Sequence, residues 1–268
     1  MGKLKREAEF HNQIVDRFGD RDLAVAPYFE APTAVENKYI LSRMESLKGK
    51  KILDFGCGFG DASVYFALKG AKVVGIDVSE KALQIANRLA ATNSVEIDFI
   101  LSNKESLMEF SNENFDFIYG NGVLHHIDCK KYYPEFKRVL RPKGRAYFIE
   151  PLKYNPVINV YRKLAKEVRS PDENPLGLPE IRLARQYFKR VKTTGFWLFS
   201  LYLFCHFYLI EHVNPNKERY WRKIILEGER FKELFYVLHR IDQFTLRICP
   251  ILKYLCWNVV VEIENYEK

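Results

Sequence analysis

The sequence predicts a doubly wound α/β fold built on a mostly parallel sheet of seven strands. Between Lys51 and Pro151, short β-rich runs alternate with helical patterns, which is typical of βαβ units that pair into a parallel sheet. Two further β-rich runs occur much later, and they would add an antiparallel hairpin at one edge of that sheet. With 268 residues, 47% of them hydrophobic, the chain can bury such a sheet on both faces.

Each element of the parallel unit is predicted from its own run of residues. The strands, rich in β-branched, aliphatic and aromatic residues, are expected at 51–55, 72–77, 96–101, 115–120 and 145–150. The helices between them are expected at 61–69, 79–92 and 130–140. Ser79 comes directly before an amphipathic run, so it is expected to cap the second of these helices.

The rest of the chain is predicted to frame this unit. Residues 1–45 are expected to form an N-terminal helical lid, and residues 46–151 form the doubly wound core. Residues 152–268 are expected to form a helical cap with two closing strands, at 191–203 and 256–266. The helices of the cap are expected at 157–169, 179–190 and 216–247.

The basic charge of the chain lies almost wholly in its second half. The formal net charge is +8, and residues 151–268 contribute +7 of it, from 20 Lys and Arg against 13 Asp and Glu. Such asymmetry indicates an anionic partner, which could be a membrane surface, nucleic acid or a negatively charged substrate. A solvated basic surface without a partner accounts for the charge equally well.

Cytoplasmic localisation is expected from three features. The first residues are polar and contain no apolar core segment of a signal peptide. The five cysteines are an odd number without a CxxC pair, which favours reduced thiols. The apolar run 195–210 is too short for a membrane span of roughly 20 residues, so a strand leading into a helix is predicted there. Peripheral contact with a membrane stays open.

A glycine-rich turn carries the strongest chemical signal. The first predicted strand contains Asp54 and is followed by Gly56, Gly58 and Gly60, just before a predicted helix. Glycines let the backbone approach a ligand, and the helix N-terminus offers N–H groups to it. The next strand ends in Asp77, whose carboxylate can accept hydrogen bonds from both hydroxyls of a ribose. Together these features predict a cofactor that contains adenosine.

The glycine spacing distinguishes between adenosine cofactors. A nicotinamide enzyme usually shows GxGxxG, whereas this turn reads GxGxG, which disfavours a dehydrogenase. The turn resembles the glycine motif of class I S-adenosylmethionine-dependent methyltransferases. The segment FDFIYGNGVLHHIDCKKYYPEFKRVLRPKGRAYFIEP (115–151) is similar to the small-molecule branch, of the ubiquinone/menaquinone-methylase type or methyltransferase type 11. The resemblance is dense over 50–151 and looser over 150–176, and it implies a Rossmann-like core.

The resemblance also implies which residues hold S-adenosylmethionine. Glycines 56, 58 and 60 would cradle its methionine portion, Asp54 would hold its amino group, and Asp77 would take the ribose hydroxyls. Asn103 stands where the family commonly has Asp, but its carbonyl can still accept from the adenine amino group. The full expected set is Asp54, Gly56, Cys57, Gly58, Gly60, Asp77, Val78, Asn103, Lys104 and Asn121.

Catalytic side chains must project from the carboxyl ends of the strands, where the crevice of such a sheet lies. His125 and His126 follow the fourth strand, and Glu150 ends the fifth. We expect His125 to act as a base or substrate ligand, Glu150 to do the same or to play a structural part, and His126 to cap the loop. Methyl transfer from a sulfonium needs no metal, and adjacent histidines without further ligand spacing make a poor metal site, so none is expected.

The acceptor is expected to be small and lipophilic or aromatic. Two segments of the cap, 195–210 and 235–257, are dense in aromatic and aliphatic residues, which would line a large apolar pocket. An isoprenoid, a quinol, a sterol-like molecule or an aromatic natural product would suit it. A nucleic-acid methyltransferase is an alternative, but Asn121 is not followed by the Pro-Pro-aromatic run typical of amino-methylating enzymes. A non-catalytic S-adenosylmethionine-binding module also stays open, as does homo-oligomerisation.

Overall fold

The computed structural model describes residues 3–18, 25–44, 46–102, 106–169 and 174–266. Within these ranges seven strands form one sheet. The strands are β1 (Lys51–Phe55), β2 (Lys72–Asp77), β3 (Asp98–Leu101), β4 (Phe115–Asn121), β5 (Leu140–Pro151), β6 (Arg190–Phe196) and β7 (Asn258–Glu264). The helices of the described ranges are α1 (Lys3–Phe18), α2 (Pro27–Glu30), α3 (Val35–Arg43), α4 (Asp61–Leu68), α5 (Glu80–Thr92), α6 (Cys129–Val139), α7 (Pro156–Leu164), α8 (Leu178–Tyr187), α9 (Tyr202–Leu209), α10 (Tyr220–Leu226) and α11 (Lys232–Ile248).

The sheet has the strand order β3-β2-β1-β4-β5-β7-β6. Strands β1 to β5 pair in parallel, whereas β7 pairs antiparallel with both β5 and β6. The order reverses direction at β1 and β4, which start the two halves of the sheet. In open α/β sheets a crevice forms at such a switch point, outside the carboxyl ends of the strands. The predicted seven-stranded, mostly parallel sheet with an antiparallel edge is confirmed.

Both faces of the sheet are buried, because successive side chains of the central strands enter different cores. Ile52 of β1 and Tyr119 of β4 belong to the core that faces α2, α3 and α4. Their neighbours Leu53 and Ile118 belong to the core that faces α6 and α8. Continuous apolar runs in β1 and β4 are therefore what a parallel sheet covered on both sides requires.

Capping residues set the start of several helices. The Ser79 hydroxyl accepts from the N–H of Ala82 at 3.1 Å, so the predicted cap of α5 is confirmed. The Asn155 side chain accepts from the N–H of Ile158 in the same way and starts α7. Such caps satisfy N–H groups that have no partner within the helix.

The closing strands are shorter than the sequence suggested. The strand expected at 191–203 ends at Phe196, and the chain is helical again from Tyr202. Trp197 has a φ of +67°, which takes the backbone out of the extended conformation and ends the strand. The other closing strand, expected at 256–266, covers only Asn258–Glu264 and follows a 3₁₀ helix over residues 250–255. The predicted strand leading into a helix within 195–210 is confirmed.

The long helix expected over 216–247 is divided into α10 and α11. Gly228 lies between them, and its Cα approaches the loop between α2 and α3 so closely that a Cβ would stand 2.7 Å from the Thr33 hydroxyl. That close approach lets the cap pack on the N-terminal helices. Among the described residues, no helix is both long and apolar enough to cross a membrane.

Candidate active site

The glycine turn joins β1 to α4 and lies beside the end of β2. Gly56 and Cys57 donate their N–H groups to the Ile76 carbonyl, at 2.8 and 2.9 Å, which ties the turn to the neighbouring strand. Gly58 has a φ of +53°, and a Cβ built there meets no atom within 4 Å, so its backbone borders open space. Gly60 also has a left-handed conformation and caps α4.

Asp77 is anchored by the turn that it faces. One carboxylate oxygen accepts the N–H of Gly58 at 2.9 Å, and the other accepts the N–H of Ser79 at 2.8 Å. Each oxygen keeps a further lone pair that can accept from a hydroxyl group of a ligand. The carboxylate is therefore fixed in a position that suits the two vicinal hydroxyls of a ribose.

Asp54 is a buried carboxyl group, only 1% exposed. The Ser63 hydroxyl donates to it at 2.5 Å. Burial raises the pKa of Asp54 to about 7, with the Ser63 hydrogen bond opposing the shift and the nearby carboxylate of Asp77 adding to it. A cationic amino group entering the cavity would favour the ionised form of Asp54, so this side chain can hold such a group.

A cavity of about 310 Å³ lies outside the carboxyl ends of β1, β2 and β4. The predicted cofactor-binding residues that line it are Asp54, Gly56, Cys57, Gly58, Asp77, Val78 and Asn121. Gly60 does not line it, because its Cβ position packs against Ala86, at 2.8 Å, and its N–H donates to the Cys57 carbonyl. Asn103 and Lys104 lie outside the described residues. Ser102, which the sequence did not single out, lines the cavity.

Cys57 takes part in this cavity as an inert thiol. Burial raises its pKa well above the usual value, and the neighbouring carboxylates of Asp54 and Asp77 add to the shift. A thiol that stays protonated is a poor nucleophile, so its contribution is packing and shape.

His125 and Glu150 form a buried pair at the carboxyl ends of β4 and β5. His125 Nδ1 lies 2.7 Å from Glu150 Oε2. The other carboxylate oxygen, Oε1, accepts the N–H groups of Val123 and Leu124, at 2.8 and 2.7 Å. A carboxylate held by two N–H donors can only accept from the imidazole, so the proton of neutral His125 is on Nδ1 and Nε2 is its basic nitrogen.

His126 belongs to a different cluster, which the sequence did not predict. Its Nδ1 lies 3.0 Å from Glu7 Oε2, and His11 Nε2 lies 3.7 Å from the same oxygen. Burial lowers the pKa of His11, so its imidazole is biased toward the neutral form. Glu7 and His11 come from α1, one turn apart, and their spacing is the signal that could have paired them.

The three side chains Glu7, His11 and His126 could accommodate a cation. Their ligand atoms all lie within 4.8 Å of one another, and two imidazoles with one carboxylate are ligands that divalent transition metals accept. The same arrangement can also pass a proton between the imidazoles through the carboxylate. That no metal is needed here stays a prediction.

A second cavity, of about 360 Å³, adjoins the first. The two share Asn121, Gly122 and His126, so they meet at the end of β4. His125 lines only the second cavity. Much of its wall is aromatic and comes from the N-terminal helices and the cap, through Phe10, Tyr28, Tyr161, Trp197, Trp221 and Trp257, and Tyr28 and Trp221 line the first cavity as well.

Charged groups also line the second cavity. Arg219 lies at the boundary of both cavities, and burial lowers the pKa of its guanidinium. Glu36 is buried too, and burial raises its pKa although Asn258 donates to it at 2.7 Å. The cavity therefore combines an aromatic wall with a few polar groups, an arrangement typical of sites for small organic molecules.

Residues 53–148 match the family described as "Methyltransferase domain". The curated ubiquinone biosynthesis O-methyltransferase of Pseudomonas putida (strain W619) is 38% identical over 136 residues, which are 50% of this chain and 58% of that protein. The corresponding protein of Vibrio atlanticus (strain LGP32) is 31% identical over 111 residues, 41% of this chain and 47% of that protein. The chain thus spans about half the length of the curated relatives that it matches.

Two solved structures share the fold at low identity. Phosphoethanolamine N-methyltransferase 2 of Haemonchus contortus, in complex with S-adenosyl-L-methionine, has a TM-score of 0.58 and 17% identity, over 96% of this chain and 60% of that chain. An S-adenosylmethionine-dependent methyltransferase from Mesorhizobium loti has a TM-score of 0.52 and 14% identity, over 85% of this chain and 97% of that chain.

The family match includes most of the residues that are predicted to bind the cofactor. It begins within β1 and ends within β5, so it includes the glycine turn, Asp77 and the histidine pair. The open backbone at Gly58 and the anchored carboxylate of Asp77 fit S-adenosylmethionine, which is the cofactor of this domain. Residues 53–148 thus form a class I S-adenosylmethionine-dependent methyltransferase domain, and about half of the chain is similar to the ubiquinone O-methyltransferases.

Proposed function

We propose that this protein transfers the methyl group of S-adenosylmethionine to a hydroxyl oxygen of a small, lipophilic or aromatic acceptor. The pairing of His125 with Glu150 carries the proposal. A hydroxyl group is a weak nucleophile until its proton is removed, and a buried His–Glu pair can act as the general base that removes it. His125 lines the second cavity, and its neighbour His126 lines both cavities.

In the proposed reaction, each group of the site has one task. S-adenosylmethionine supplies a methyl carbon bonded to a positively charged sulfur. His125 Nε2 takes the acceptor's hydroxyl proton while the acceptor oxygen forms a bond to that carbon, and the electron pair of the breaking C–S bond goes to sulfur. Glu150 holds the imidazole in the productive tautomer and stabilises the imidazolium that forms. Asp77 and Asp54 fix the position of the cofactor, so the two reacting atoms can approach in line.

The second cavity supports a lipophilic or aromatic acceptor. Its walls contain Tyr161, Trp197 and Trp257, whose rings offer apolar surface for an isoprenoid, a quinol, a sterol-like molecule or an aromatic natural product. The Pseudomonas putida relative is named for O-methylation in ubiquinone biosynthesis, which supports an oxygen acceptor. The match spans 58% of that protein, so the acceptor of this chain is proposed from its own cavity and is not transferred from the relative.

The test is a turnover assay on purified protein with S-adenosylmethionine and a panel of phenols, quinols and sterols. We expect S-adenosylhomocysteine to form with at least one hydroxylated acceptor, and we expect His125→Asn to lower kcat by about 100-fold or more. His212→Asn is the matched control, since His212 is exposed and lies outside both cavities. Full activity of His125→Asn would contradict the assignment of the base. Tight binding of S-adenosylhomocysteine without any turnover would favour a non-catalytic binding module.

A further inference from the structure

The outward face of α11 carries an apolar stripe that is open to solvent. Its side chains recur at intervals of three and four residues, which places them along one side of the helix. The stripe consists of Leu234, Val237, Ile241, Phe244 and Ile248. These residues are between 41% and 67% exposed, and Ile251, in the 3₁₀ turn that follows, is 70% exposed.

The opposite face of α11 fixes the orientation of the helix. Phe235 is fully buried, and its ring lies 4.9 Å from that of Trp197. Asp242, two turns after Phe235 on the same inner face, is buried and accepts from the N–H of Phe199 and the hydroxyl of Ser200, both at 2.6 Å. With these anchors in place the stripe cannot turn inward, so its exposure is a fixed property of the fold.

Positive charges accompany the stripe. Arg240 and Arg247 are both exposed, and their spacing of seven residues places them along one edge of it. Lys253 continues the series beyond the helix. Between residues 234 and 255 the sequence contains one acidic residue, Asp242, and its carboxylate is engaged on the inner side. Within this segment the exposed charged side chains are therefore all cations, and the exposed carboxylate nearest in sequence is Glu233, in the first turn of α11.

That combination discriminates between two ways of covering the stripe. If a second copy of the chain covered it, Arg240 and Arg247 of each copy would border an interface to which α11 brings a single exposed carboxylate, Glu233. The excess of like charges there disfavours pairing. An anionic bilayer offers a hydrocarbon boundary for the apolar side chains and phosphates for the arginines. The charge pattern favours the bilayer.

We propose that α11 is a docking surface for anionic lipid bilayers. The stripe would enter the boundary between headgroups and acyl chains, and Arg240 and Arg247 would meet lipid phosphates at its edge. Trp197, against which the inner face of α11 packs, also lines the second cavity. The helix thus lies between the membrane surface and the cavity. The docking itself does not depend on which molecule the protein methylates.

The test is co-sedimentation of the full chain with sucrose-loaded vesicles of phosphatidylcholine alone or mixed with phosphatidylglycerol. We expect binding to the mixed vesicles that weakens as salt is raised, because screening shortens the reach of the arginines. The double variant Phe244→Ser/Ile248→Ser should weaken this binding by about tenfold or more. Arg240→Gln/Arg247→Gln should weaken it by about fivefold for each arginine removed.

Leu68→Ser is the matched control, since Leu68 is 51% exposed on α4, outside the stripe. It should bind vesicles like the unaltered protein, and every variant should still bind S-adenosylhomocysteine, which reports an intact fold. Equal vesicle binding by the unaltered protein and by Phe244→Ser/Ile248→Ser would overturn the proposal. A dimer in light scattering that this double variant dissociates, without any vesicle binding by the unaltered protein, would assign the stripe to a second copy instead and would equally overturn it.

Discussion

Asp242 accepts a 2.6 Å hydrogen bond from the backbone N–H of Phe199, 43 residues earlier in the chain. The same carboxylate accepts from the N–H groups of Leu198 and Ser200 and from the Ser200 hydroxyl. One side chain of α11 thus accepts hydrogen bonds from the N–H groups of the turn that follows β6. In that turn Trp197 has already left the strand conformation. The turn and α11 should therefore be stable only together.

Replacing this carboxylate tests that coupling. We expect Asp242→Ala to lower the free energy of unfolding by about 3 kcal/mol, because several buried donors lose their acceptor at once. The measurement is urea denaturation followed by circular dichroism. Gln243→Ala, at the next and exposed position of the same helix, should change stability by less than about 0.5 kcal/mol. Equal stability of the two variants would mean that the turn does not depend on Asp242.

Cofactor affinity should depend on Asp77. Asp77→Ala removes the acceptor proposed for the ribose hydroxyls and the anchor of the Gly58 N–H. Hydrogen bonds to a charged group contribute about 1.5–3 kcal/mol each, so we expect the Kd for S-adenosylhomocysteine to rise by about 100-fold. Calorimetric titration measures it. Asp98→Ala, which alters an exposed carboxylate on β3, serves as the control, and an unchanged Kd for Asp77→Ala would contradict the site.

Asp54 should make cofactor binding depend on pH. Burial raises its pKa to about 7, so in the empty cavity the carboxyl is mostly protonated at pH 6 and mostly ionised at pH 8. If the ionised form holds the cofactor's amino group, affinity for S-adenosylhomocysteine should increase by about tenfold between these pH values. Asp54→Asn should bind more weakly and show no such dependence. If the affinity of the unaltered protein did not change with pH, Asp54 would not be the group that holds the amino group.

Glu150 should act through His125 and not on the cofactor. Glu150→Gln keeps an oxygen for the N–H groups of Val123 and Leu124 but loses the charge that stabilises the imidazolium. We expect kcat to fall by about 100-fold while the KM for S-adenosylmethionine stays within about twofold. Steady-state kinetics separate the two parameters. A higher KM with an unchanged kcat would indicate a binding role instead.

The parallel half of the fold could be predicted closely because its signals are local. The bounds of β1 and β2 coincide with the predicted ranges, since each strand is a short apolar run between a polar stretch and a turn. The glycine turn and Asp77 are also close in sequence, and they lie at the ends of two consecutive strands. Their meeting at one cavity follows from the parallel pairing of β1 with β2.

Contacts over long stretches of sequence were not predictable in the same way. His126 meets Glu7 of α1, 119 positions earlier, and nothing near either residue specifies the other. The predicted end of β6 is also wrong. Apolar residues continue past Phe196 in the sequence, whereas the backbone turns at Trp197. There a tertiary partner, Asp242, outweighs local β propensity.

The register of the last two strands has a consequence for how such a protein can diversify. Phe196, the last residue of β6, lies opposite Asn258, the first residue of β7. Everything between them, residues 197–257, is therefore an excursion that leaves the sheet and returns to it at a single point. Insertions with adjoining ends can be exchanged without disturbing the structure that holds them. Related chains could thus acquire new acceptors by replacing this excursion while retaining the same cofactor-binding sheet.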